Sequence, residues 1–112
     1  MYDNLPVYKA AYDLFIEITS LRSKMKREYK FTIGERLMNA ALDLIINIYR
    51  ANKSKDKKKR IADAQEQVEL IRLLLRLLKD IKEISLKRFI AINEKIEMVS
   101  KQLTGWMQYQ KD

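Results

Sequence analysis

Hydrophobic residues recur at steps of three and four through four successive stretches of the chain, the spacing of amphipathic helices. In the first stretch Val7, Ala11, Leu14, Ile18, Leu21 and Met25 share one face. Pro6 suits the opening turn, where a missing N–H loses no intrahelical bond. The pattern predicts a helix over about 6–28, fading at Arg27-Glu28-Tyr29-Lys30. The second face is Ile33, Leu37, Ala41, Leu44, Ile48 and Ala51, which predicts a helix over 33–52. Thr32-Ile33-Gly34-Glu35 before it reads as a capping box, the Thr32 hydroxyl accepting the Glu35 N–H and the Glu35 carboxylate reaching back to the Thr32 N–H. Ala40 and Ala41 in its middle let a neighbouring helix approach closely.

The third stretch, about 56–82, carries two stripes. Ile61, Ala64, Val68, Ile71, Leu75 and Leu78 form a core seam, while Leu70, Leu74, Leu77, Ile81 and Ile84 repeat the spacing on an adjacent face. A single bundle core needs one stripe, and each extra buried Leu or Ile is worth about 1.5–3 kcal/mol. Leu70, Leu74, Leu77 and Ile81 are therefore candidates for a self-association surface, the alternative being one wide core-facing helix. Ser85 caps the fourth stretch, about 86–110, with the seam Phe89, Ile92, Ile96, Val99, Leu103 and Trp106. Gly105 lies near its end. Short connections between four helices give an up-down-up-down antiparallel four-helix bundle, a single all-α domain over 1–112.

Composition narrows the chemistry. The 112 residues include two Gly and one Pro, too few turn residues for a sandwich or a doubly wound sheet, and no Cys or His. That removes a zinc site of the usual N/S kind, a thiol nucleophile and the commonest general base near neutral pH. The Glu-x-x-His pairs of a di-iron bundle cannot be built either. No catalytic residue, metal site or cofactor is expected. Asp13 and Asp43 are candidates for buried polar contacts. No disulfide framework is possible, the first residues lack the features of a signal peptide, and the apolar runs are short of a membrane span. A soluble cytoplasmic protein fits this composition.

The charge is the informative remainder. The net charge is +8, from 23 Lys+Arg against 15 Asp+Glu. Lys53, Lys55, Lys57, Lys58, Lys59 and Arg60 stand with Asp56 in one run, net +5; Arg22, Lys24, Lys26, Arg27 and Lys30 stand with Glu28 in another, net +4. The other 95 residues therefore sum to −1. In an up-down bundle the two runs lie at opposite ends, and the 22–30 end also receives the connection with Lys79, Lys82, Lys87 and Arg88. The first run crowds a helix start, where the macrodipole favours acids. An anionic partner would offset that cost, and clustered bases are the usual footprint of phosphate binding; a solvated loop is the alternative. Tyr29 and Phe31 at one end, and Tyr2, Tyr49 and Tyr109 at the other, can stack on bases or close the core. Trp106 continues its seam and reads as core or interface.

Three blocks carry a family resemblance. They are Leu5-Pro-Val-Tyr-Lys-Ala-Ala-Tyr-Asp-Leu14, then Tyr29-Lys-Phe-Thr-Ile-Gly-Glu-Arg36 continuing to Ala40-Ala-Leu-Asp-Leu-Ile-Ile-Asn-Ile-Tyr-Arg-Ala51, and finally Gly105-Trp-Met-Gln-Tyr109. In this order they resemble the accessory variability determinant proteins of diversity-generating retroelements, within a four-helix-bundle family that includes proteins encoded in intervening sequences of 23S ribosomal RNA genes. The resemblance implies a ring-like homopentamer without enzymatic activity. Its implied partners are a reverse transcriptase and nucleic acid, chiefly the template-repeat RNA with DNA a further candidate, in support of mutagenic cDNA synthesis. The intervening-sequence branch implies instead an oligomeric scaffold for protein interactions. The resemblance assigns no binding residues, so the candidate nucleic-acid contacts are the two basic runs.

Overall fold

The computed structural model describes residues 5–110. Five helical segments follow one another: α1 (Pro6–Ser23), α2 (Arg27–Lys30), α3 (Ile33–Lys53), α4 (Lys57–Asp80) and α5 (Leu86–Tyr109). The four long ones form an antiparallel bundle 45 Å long and 22 Å across, with contacts running α1–α3, α3–α4, α4–α5 and α5–α1. The α3–α4 contact is the most extensive. Ala40 and Ala41 are both buried in the interior. The predicted seams of all four helices meet in one core, except that Ile33, Phe89 and Trp106 pack at its margin as half-buried side chains. No charged or polar side chain is buried among the described residues. Asp13 is accordingly half-exposed and pairs with Lys9 at 3.0 Å, and Asp43 is exposed; neither is the buried polar contact expected.

Three local expectations are corrected. The first helix does not reach residue 28. It ends at Ser23 because Met25 turns inward to 6% exposure, and the chain restarts as the single turn of α2. The capping box at Thr32 does not form. The Thr32 hydroxyl donates instead to the Glu28 carbonyl at 3.0 Å, satisfying an acceptor at the end of α2, while Glu35 lies 4.0 Å from Arg22. The second stripe on α4 is split. Leu74 is 7% exposed and Ile84 7%, both within the core, and Leu70 packs against it; Leu77 at 40% and Ile81 at 42% remain outside.

The stripe divides because α4 stops at Asp80. Lys82 takes a left-handed φ of 63°, its N–H bonds the Lys79 carbonyl at 3.0 Å, and the Glu83 N–H bonds Leu78 at 2.9 Å. These are the two bonds of a Schellman closure. The turn swings Ile84 beneath the bundle end. The expected Ser85 cap does form, its Oγ accepting the Arg88 N–H at 3.0 Å, and at the start of α4 Asp56 Oδ1 accepts the Lys59 N–H at 3.4 Å.

Candidate nucleic-acid interface

Several cations on the long helices are matched by neighbouring acids, while Lys95 and Lys101 on α5 have no acidic partner among the described residues. Arg72 on α4 holds Glu97 on α5 through two bonds of 2.9 Å and also pairs with Glu69. Arg88 lies 3.6 Å from Glu17, Arg76 3.9 Å from Asp80, and Lys9 pairs with Asp13. Bidentate pairing of the Arg72 kind fixes both partners and leaves little charge for a ligand.

The ends differ. At one end the α1–α2 link and α2 supply Lys24, Lys26 and Arg27, all exposed, and the α4–α5 turn and first turn of α5 add exposed Lys82 and Lys87. No acidic side chain of the described residues pairs with these five. Glu83, an acid in their midst, is turned inward: its carboxylate accepts the Lys26 backbone N–H at 2.7 Å. That bond ties the α1–α2 link to the α4–α5 turn and holds the two basic segments side by side. Lys24, Glu83, Ser85 and Arg88 border a cleft of about 210 Å³ there.

Arg22 and Lys30 complete that run but serve differently. The Arg22 Nε donates to the Lys30 carbonyl at 3.0 Å, its guanidinium stands 5.3 Å from the Phe31 ring centroid, and its side chain is 19% exposed. Arg22 is thus a strut under α2. Lys30 is half-buried beside it.

At the opposite end the same division appears. Lys57, at the first position of α4, turns back and donates to the Ala51 and Asn52 carbonyls at 3.1 and 2.9 Å. It therefore caps the end of α3, where carbonyls lack intrahelical donors and the macrodipole favours a cation. Lys53, Lys55 and Lys59 are exposed, with Lys53 5.5 Å from the Tyr49 ring centroid, and Lys58 and Arg60 are half-buried. Tyr109 is 82% exposed, Tyr29 is half-buried, and Tyr2 lies outside the described residues. Sequence alone missed the Glu83 strap, since nothing local marks a carboxylate that bonds an N–H 57 positions away.

Across residues 7–110 the chain matches the family model described as bAvd-like. The chain belongs to the bAvd-like family. Among solved structures, this bAvd-like chain is similar to a protein of unknown function from the S23 ribosomal protein family of Bacteroides thetaiotaomicron. The TM-score is 0.86 at 20% identity, covering 96% of this chain and 99% of that one, a likeness of fold. No curated protein matches. No helix of the described residues is long and apolar enough to cross a membrane.

Proposed function

We propose that this bAvd-like protein is a non-catalytic accessory that binds RNA through its basic ends and works beside a reverse transcriptase in a diversity-generating retroelement. The observation that carries the reading is the concentration of exposed bases at the bundle ends. Arg72 on the side of the bundle is paired with acids, whereas Lys24, Lys26, Arg27, Lys55 and Lys59 stand exposed at the two ends of a 45 Å rod. Phosphate contacts set affinity without needing a sequence motif, which suits a long polyanion rather than a small ligand. In a side-by-side ring of copies, the homopentamer that the resemblance implies, each end becomes a continuous basic annulus.

A second reading treats the chain as an oligomeric protein scaffold of the rRNA intervening-sequence type. It is favoured by the apolar side chains left outside, Leu73 and Leu77 on α4 and Ile81 at its C-cap. Capture of a diversity-generating retroelement reverse transcriptase on immobilised protein, with and without nuclease and with template-repeat RNA added, separates the two. The RNA-binding accessory retains naked RNA, and the triple change Lys24→Gln, Lys26→Gln, Arg27→Gln releases it. Capture of the transcriptase that survives nuclease, with no retention of RNA, supports the scaffold instead.

A further inference from the structure

Phe31 occupies an unusual position for an aromatic side chain. The other phenylalanines, Phe15 and Phe89, pack against the core, but Phe31 is 57% exposed at the junction of α2 and α3. It is not loose. The Arg22 guanidinium stands against the ring, 5.3 Å from its centroid, and is itself held by the Lys30 carbonyl and by Glu35. A restrained cation under one π-face leaves the other face and edge as the accessible part of the ring. Lys24 and Lys26 on the α1–α2 link, Arg27 in α2 and Arg36 in the first turn of α3 are exposed on the segments that flank it, and with Lys30 and the acids Glu28 and Glu35 they give residues 24–36 a net charge of +3. An exposed aromatic face on a segment of net positive charge is the pairing that single-stranded nucleic acid requires: a platform for a base, with charges for the flanking phosphates.

We propose that Phe31 is a stacking platform for an unpaired base, so that this end prefers single-stranded RNA over duplex. The proposal rests on the RNA-binding reading above and adds strandedness to it. A base within a duplex is already stacked on its neighbours and cannot reach the ring, whereas a splayed base can form an Arg22–Phe31–base layer. Base–aromatic stacking implies a loss of about tenfold in affinity when the ring is removed.

The test is fluorescence anisotropy with a labelled twelve-nucleotide oligouridine and a labelled blunt-ended twelve-base-pair RNA duplex, which has no unpaired base. Wild type is compared with Phe31→Leu and Phe31→Tyr, and circular dichroism verifies the fold. Expected is about tenfold weaker oligouridine binding by Phe31→Leu, an unchanged duplex affinity, and rescue by Phe31→Tyr. Equal affinity of Phe31→Leu and wild type for oligouridine overturns the stacking role alone. Equal losses on both RNAs overturn it as well. A wild-type protein that binds neither RNA overturns the RNA-binding reading along with it.

Discussion

Replacing Lys57 with Met lowers thermal stability, whereas the same change at Lys59, two residues on, does not. The Lys57 ammonium bonds two carbonyls at the end of α3, at 3.1 and 2.9 Å. A hydrogen bond to a charged group contributes about 1.5–3 kcal/mol, and the cation–dipole contact up to about 2; these describe one contact and are not added. Because the α3–α4 link lies at the surface, water can take over part of the carbonyl bonding, which places the loss near the lower figure. Against it stands a return of about 0.3–1 kcal/mol, since Lys57 also opposes the macrodipole at the start of α4. The net cost is about 1 kcal/mol, a fall of roughly 4–8 °C in Tm for a domain of this size. Lys59 is exposed and bears only the unfavourable dipole term, so its replacement leaves Tm unchanged or raises it slightly. For RNA the order inverts, with Lys59→Met weakening binding more than Lys57→Met. Thermal melts followed by circular dichroism decide the first comparison. Equal Tm changes for the two variants, or none for Lys57→Met, would refute the division between structural and binding lysines.

Further predictions come from the interior and the turns. At Gly34 an added Cβ would lie 2.7 Å from Met25 Sδ and 3.1 Å from the Tyr29 carbonyl, while at Gly105 it meets nothing within 4 Å. Gly34→Ala is therefore expected to destabilise by about 1–2 kcal/mol through overpacking, and Gly105→Ala to stabilise by about 0.5–1 through helix propensity, both read from denaturant melts. Leu74→Ala removes a core side chain and costs about 2–5 kcal/mol, whereas Leu77→Ala, at 40% exposure, costs under about 1.5; similar costs would show the α4 stripe to be undivided. Lys82→Gly relieves the left-handed φ of 63° and is expected to raise stability by about 0.5–1 kcal/mol, with a lowered Tm counting against the Schellman closure.

These residues also show how far the sequence could be read. The four seams were legible because a step of three or four leaves one apolar face whatever its neighbours, and those faces meet in the core. The end of α1 was not legible. Arg22-Ser23-Lys24-Met25-Lys26 contains neither Gly nor Pro, and the break comes from long-range contacts: Met25 against Gly34 and Lys26 N–H against Glu83. The capping box failed for a local reason instead: the Thr32 hydroxyl donates to the Glu28 carbonyl four residues back, a side-chain-to-backbone bond that competes with the cap. Charge was legible as two clusters but not residue by residue. Lys57 and Arg22 are spent on carbonyls that only the folded links bring into reach. The division of the α4 stripe depended on where the helix stopped, and the left-handed Lys82 gives no sign of that stop in sequence.

The central claim is that the exposed end cations bind RNA phosphates, and a salt titration of RNA affinity addresses it most directly. Three phosphates neutralised at the Lys24–Lys26–Arg27 end give a slope of log affinity against log salt of about −2 for single-stranded RNA. The slope is steeper if both ends engage, and it flattens when those three residues are replaced by Gln. An affinity indifferent to salt, or a slope unaltered by the replacements, would contradict the account.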